Sequence, residues 1–199
     1  DGDKIAVVPN FTTFVANHNM SKRNGKVLFV GRLSSEKGYD ILFSAASKLP
    51  TVDFTVAGGC SSQADLSGKP HNVTLLGAVD RKRLIELYST HSLLAITSRC
   101  YEAFPLTILE AAMNHCPVIA PNLGAMKSII KDNETGALFA PFSSDDLAEK
   151  IDLLLKDTIT AEKLAARSYE VCMKLYSPEN YYNSVVSLIS LIEQPLHQK

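Results

Sequence analysis

The chain carries no excess of charge of either sign. Its 20 Lys and Arg against 21 Asp and Glu leave a formal net charge of −1 over 199 residues. Nothing in its global charge therefore points to nucleic acid or an anionic membrane as a partner. No apolar run approaches the ~20 residues that a membrane-spanning helix needs, and no signal peptide is visible. Asp1 rather than Met opens the chain. An excised piece of a longer protein is the expectation, ahead of a processed chain, and any leader would be lost with the missing part. The four cysteines, Cys60, Cys100, Cys116 and Cys172, show neither close pairing nor metal-ligand spacing. Cys116 and Cys172 fall in apolar segments and are expected as small core residues, in a reduced, cytosolic setting. In that setting the Asn-x-Ser/Thr triplets at Asn10, Asn19, Asn72 and Asn133 indicate only a turn-rich composition. The five histidines are scattered, and Asp1-Gly2-Asp3 has no second ligand set beside it, so no metal is expected. There is no internal repeat, no low-complexity segment and no Gly-x-Gly-x-x-Gly fingerprint, so a nicotinamide cofactor is not indicated.

What is present is ordinary globular composition, 46% apolar and 21% charged, in a length that suits one domain with its own core. Lys4 to Pro9 reads as a short strand, followed by a polar linker to Gly25. Strands are then expected at Lys26–Val30, Thr51–Ala57, Val73–Leu76, Leu93–Ile96, Pro117–Ala120 and Ala137–Ala140. Between them lie helical patterns: Leu42, Ala45, Ala46 and Leu49; then Leu84, Leu87 and Tyr88 behind a capping Asp80; then Leu106, Leu109 and Met113 behind Pro105; then a short helix ending at Lys131. Three helices close the chain. The first carries Leu147, Ile151, Leu154 and Leu155 behind Ser144 or Asp145, the second Leu164, Val171 and Leu175, and the third, after Pro178, Tyr181, Val185, Leu188 and Ile192. Strand and helix alternate about six times, which predicts an α/β fold: a Rossmann-like parallel sheet with helices on both faces.

Two strand-end loops carry candidate chemistry. After Leu93–Ile96 comes Arg99-Cys-Tyr-Glu-Ala-Phe-Pro-Leu-Thr-Ile-Leu-Glu-Ala-Ala112. Glu102 sits in the loop and Glu110 inside the helix, where apolar neighbours make a carboxylate costly unless something bonds it. Eight helical residues rise about 12 Å. Two acceptors so spaced could hold the hydroxyl-bearing ends of one elongated ligand, with a helix start between them that attracts phosphate. Hydroxyls, phosphate, hydroxyls describes a nucleotide-sugar. The bland alternative is an ordinary loop glutamate and a paired helix glutamate. The second loop, Gly31-Arg-Leu-Ser-Ser-Glu-Lys-Gly38, lies where open α/β sheets bind ligands. Gly31 permits close backbone approach, and Arg32 with Lys37 would suit a diphosphate; a solvated surface loop is the alternative there.

With Glu102 and Glu110 separated by seven residues and Gly-Arg-Leu-Ser-x-Glu-Lys-Gly upstream, the chain resembles the donor-binding, C-terminal domain of retaining GT-B glycosyltransferases. The family is glycosyltransferase family 4, the glycosyl transferases group 1, and the resemblance runs from about Pro9 to the last helix. It implies the second half of a two-domain GT-B fold: a strand and interdomain linker over 1–25, a nucleotide-sugar-binding domain over 26–177 and a crossover helix over 178–199. It implies a hexosyltransferase-like parent, of the kind used in polysaccharide biosynthesis, that moves a sugar from a nucleoside diphosphate to an acceptor hydroxyl with retention. Arg32, Lys37 and Glu102 would be catalytic. Gly31, Arg32, Lys37, Val79, Glu102, Ala103, Phe104, Pro105, Leu106 and Glu110 would hold the donor, with Val79 in the turn that grips the base through backbone. No metal is expected. The acceptor site would belong to a missing N-terminal domain, so the fragment alone would be inactive or nearly so. The location would be cytoplasmic, peripheral to the inner face of a membrane through that domain. In two places the chain departs from the family's pattern: Ser61–His71 is short, and Asn133 replaces a turn glycine. A free-standing binding module, a sugar-nucleotide epimerase and a glycan phosphorylase are the alternative readings.

Overall fold

In a computed structural model of the chain, residues 6–14 and 22–193 are described. Six short apolar runs pair in parallel: β1 (Val27–Val30), β2 (Phe54–Ala57), β3 (Val73–Gly77), β4 (Leu93–Ala95), β5 (Val118–Pro121) and β6 (Ala137–Phe139), in the order β3-β2-β1-β4-β5-β6. Strands so apolar along their whole length must be covered on both sides. Successive side chains of β1 point to opposite faces. Val27 and Phe29 join the core under α1 (Tyr39–Lys48) and α5 (Ser144–Lys156). Leu28 joins the core under α2 (Arg81–Thr90), α3 (Leu106–Met113) and α4 (Met126–Ile129). The long α6 (Thr158–Leu175) lies against α3 and α5. The chain is thus an α/β Rossmann-like fold, as expected.

The strand order places the site. From β1 the chain winds outward to β2 and β3, then returns to β4 on the other side of β1 and winds outward to β5 and β6. The loops leaving β1 and β4 therefore diverge and leave a crevice at the carboxyl end of the sheet, the position where open α/β sheets take ligands.

Local expectations shift in instructive ways. Ala6–Pro9 forms no strand and Val7 is exposed, while Lys4 and Ile5 lie outside the described residues. Thr51–Asp53 turns before β2 begins at Phe54. Ser143, not Ser144 or Asp145, caps α5, accepting from the Asp146 amide at 3.2 Å, whereas Asp80 caps α2 as expected, accepting from the Arg83 amide at 2.7 Å. Asn133 adopts φ 58°, the left-handed conformation that asparagine tolerates better than other residues with a Cβ, so it can stand where glycine is usual. Asn72 is more than a turn residue. It is buried, and its amide donates to the carbonyls of Ala46, Leu49 and Val52. Cys116 and Cys172 are buried, and Cys60 and Cys100 are exposed. Leu175 and Leu106 are exposed rather than on buried stripes. The last helix, α7 (Pro178–Glu193), does not cover this domain's sheet: Tyr182, Val186, Ile189 and Leu191 are all exposed.

Candidate functional site

The crevice holds a cavity of about 260 Å³ lined by Gly31, Lys37, Ser98, Glu102, Phe104, Pro105, Leu106 and Thr107 over a floor of Phe29, Val30 and Ile96. Each loop is shaped by its own sequence. Behind β1 a single 3-10 turn, Ser35–Lys37, ends at Gly38, whose φ of 67° favours glycine. An added Cβ at Gly38 would also lie 2.0 Å from the Thr97 carbonyl oxygen, so the loop after β4 passes directly against this turn. Two hydrogen bonds tie the loops together: the Thr97 hydroxyl donates to the Lys37 carbonyl at 2.8 Å, and the Arg99 amide donates to the Glu36 carbonyl at 2.8 Å.

That packing brings Lys37 and Glu102 together across 65 residues of sequence. The lysine Nζ is 2.8 Å from Glu102 Oε1, and both side chains are mostly shielded, 29% and 17% exposed. The Ser98 hydroxyl bonds the same oxygen. Oε2 of Glu102 has no hydrogen-bond partner among the described residues. Beside this pair α3 begins at Pro105 with no side-chain cap, and its first residues, Leu106 and Thr107, line the cavity. Leu106 is exposed for that reason: it opens onto the cavity instead of the core. An uncapped helix start presents unsatisfied N–H groups and the positive end of the helix dipole. A cation, an uncapped helix start and a carboxylate with a spare oxygen form a suitable set for a phosphate attached to a polyol.

The other expected residues lie outside the cavity lining. Arg32 points outward and pairs with Glu36 at 2.8 Å, with its side chain 69% exposed. Ala103 is exposed, and Val79 packs on the core beneath α2. Glu110 is half-buried on α3, and the Tyr88 hydroxyl donates to its Oε2 at 2.9 Å. Burial raises the Glu110 carboxyl above its usual range, and the Tyr88 hydrogen bond and the nearby Arg81 charge pull it back down. Ser98, Thr107 and Tyr88 escaped the sequence reading. Ser98 lies two residues past an apolar run, and Tyr88 counts as one more apolar residue in a helix pattern. No spacing rule links either to a glutamate.

The Glycosyl transferases group 1 family matches residues 10–171 of the chain. The chain belongs to this family. Among curated group 1-like relatives, the D-inositol 3-phosphate glycosyltransferase of Mycobacterium sp. (strain KMS) is 36% identical over 147 residues, covering 68% of this chain. The chain spans only about a third of that relative's length, 33%. Among solved structures, Anabaena Alr3699/HepE in complex with UDP and glucose superposes with a TM-score of 0.76 at 23% identity, over 84% of this chain and 48% of that one. The C-terminal domain of a glycosyl transferase group 1 family protein (LpcC) from Francisella tularensis superposes with a TM-score of 0.70 at 26% identity, over 83% of this chain and 96% of that domain. The group 1 chain thus shares the Rossmann-like fold of GT-B glycosyltransferases. No helix among its described residues is long and apolar enough to cross a membrane.

Proposed function

We propose that this chain is the C-terminal, donor-binding half of a retaining family 4 glycosyltransferase, and that the crevice between β1 and β4 takes a nucleoside diphosphate sugar. The observation that carries the reading is the meeting of Lys37 and Glu102 beside the uncapped start of α3. The LpcC C-terminal domain, nearly all of which this chain matches, supports the domain assignment, and the UDP complexes of Alr3699/HepE support the donor class.

In this reading Lys37, the first turn of α3 and Arg32 meet the diphosphate. Arg32 reaches it by leaving its exposed partner Glu36, a contact worth little in water. Departure of the nucleotide adds negative charge to the diphosphate, which these donors stabilise without a metal. Gly31, Ala103, Phe104, Pro105 and Leu106 supply backbone and walls, and Val79 borders the base. Glu102 accepts from sugar hydroxyls through its spare oxygen as positive character grows on the ring, and Glu110 accepts from the ribose. The acceptor binds on a separate N-terminal domain, and the parent works in the cytoplasm, peripheral to the inner face of a membrane through that domain. This half alone binds donor weakly and transfers poorly.

Calorimetric titration with uridine, guanosine and adenosine diphosphates tests the reading. One of them should bind, with or without a chelator. Arg32→Ala and Lys37→Ala should each weaken it by roughly 1.5–3 kcal/mol, the worth of a charged hydrogen bond, or roughly ten- to over a hundredfold. Unchanged affinity in both variants, with the fold intact, removes the loop after β1 from the site.

A further inference from the structure

Tyr88 is the one large polar side chain among the described residues driven wholly into the core: it is 0% exposed, yet its hydroxyl meets Glu110. Its ring is held edge-on by Phe14, with centroids 6.1 Å apart. The helices that carry the pair are pinned to each other at their far ends. The Arg23 guanidinium donates to the carbonyls of Tyr88 and His91 at the end of α2 and to those of Asn114 and His115 at the end of α3, at 2.6–3.0 Å. The Asn114 amide in turn donates to the Glu110 carbonyl at 2.8 Å. Neither partner of the Tyr88–Glu110 contact is therefore free to drift. A rigid phenol aimed at one oxygen of a half-exposed carboxylate leaves the other oxygen, Oε1, without a partner among the described residues.

We propose that Tyr88 is a positioning residue for donor binding: by occupying Oε2 it locks the Glu110 carboxylate so that Oε1 alone is presented to a vicinal diol of the ligand. This rests on the reading of Glu110 as the ribose acceptor. Tyr88 touches no ligand itself and acts only through Glu110. Among the described residues, the titratable groups whose charge bears on the pair are Arg81, on α2 with Tyr88, and Cys116, beyond the end of α3.

The test is calorimetry from about pH 5 to pH 8 with whichever of uridine, guanosine or adenosine diphosphate titrates most tightly, on the unaltered chain, Tyr88→Phe and Glu110→Gln. Tyr88→Phe keeps the ring packing and should weaken binding roughly two- to tenfold at pH 7, the worth of one hydrogen bond. It should also move the acid loss of affinity to higher pH, because the hydrogen bond that restrains the Glu110 carboxyl against burial is gone. Glu110→Gln should be weaker and should lack that acid loss. A 3-fluorotyrosine placed at position 88 alone, a stronger donor of nearly the same shape, should move the acid loss to lower pH, which keeps the test available even if the phenylalanine variant fails to fold. If Glu110→Gln weakens binding while Tyr88→Phe and the fluorotyrosine match the unaltered chain in affinity and profile, the positioning role is overturned and the ribose role stands. If Glu110→Gln binds as tightly as the unaltered chain, both fall.

Discussion

Glu102 shares a single oxygen between the Lys37 ammonium and the Ser98 hydroxyl, and this has a consequence of opposite sign for two ligands. In the proposed reading a diphosphate would compete with Glu102 for Lys37, whereas a sugar hydroxyl would use the oxygen that Lys37 leaves alone. Glu102→Gln removes the competing charge and nearly preserves the shape. It is expected to tighten binding of a sugar-free nucleoside diphosphate, by up to about fivefold if the partly shielded pair is worth up to about 1 kcal/mol. It should weaken binding of the matching nucleotide-sugar, and in the full-length parent it should reduce turnover more than donor binding, because the contact matters most as charge develops. Parallel calorimetry with the two ligands checks this. A loss for the sugar-free diphosphate would mean that Glu102 helps to hold the diphosphate instead of competing with it.

At the scale of elements, the site depends on how closely two loops approach. Gly38 closes the 3-10 turn behind β1 at φ 67°, and Gly58, after β2, comes so near β1 that a Cβ there would lie 1.9 Å from the Gly31 carbonyl oxygen. Gly38→Ala combines an unfavourable φ with a clash against the Thr97 backbone, 2.0 Å away, which has no flexible side-chain end to yield. We expect it to destabilise the chain by more than about 1 kcal/mol. It should also weaken diphosphate binding, since the displaced turn carries Lys37 away from the cavity beside the start of α3. Denaturant midpoints together with calorimetry measure both effects, and an alanine variant with the original midpoint and affinity would show that the loops do not press on each other.

The whole molecule should be most stable near neutral pH, because buried titratable groups fail on either side. His91 joins α2 to β2, with Nδ1 2.9 Å from the Leu87 carbonyl and Nε2 2.9 Å from the Thr55 hydroxyl. The carbonyl can only accept, so Nδ1 carries the proton and Nε2 accepts. Burial first, then the cations Lys26, Arg83 and Arg23, hold its pKa below 6.5, against the Leu87 hydrogen bond. A depressed pKa contributes stability that is full above the unfolded value and is lost as pH falls through the folded one. His115 acts in the same direction, and Glu110, raised from 4.5, partly opposes them lower down: its contribution is full below 4.5 and is lost as pH rises through the folded value. Burial pushes the Cys116 thiol up to about 12 and the Cys172 thiol to about 11 from 9.0, so their contribution is full below 9.0 and is lost as pH rises through those values. Denaturation midpoints should therefore form a plateau between about pH 6.5 and 9 and decline on both sides. A midpoint still flat at about pH 5 would mean that His91 is not held neutral.

What the amino-acid sequence determined by itself was the class of fold and the two loop stretches whose residues line the cavity. Apolar runs of strand length, helical stripes and the polar punctuation between them are local properties of neighbouring residues. They identify β1 to β6 to within two or three residues, and they mark the loops that leave β1 and β4. Even the Asn133 turn was visible as a departure from the family pattern, because left-handed tolerance belongs to the residue. Tertiary structure alone decided which side chains meet. Lys37 and Glu102 touch because the strand order sets β1 beside β4, and Tyr88 reaches Glu110 because Arg23 and the sheet hold α2 and α3 side by side. The same order puts Gly31, Lys37, Glu102, Phe104, Pro105 and Leu106 around one cavity and leaves Arg32, Val79, Ala103 and Glu110 outside its lining. A periodic pattern tells which face of an element is buried, but the partner across that face is chosen by packing between segments far apart in the chain, and such contacts leave no local trace in residue spacing.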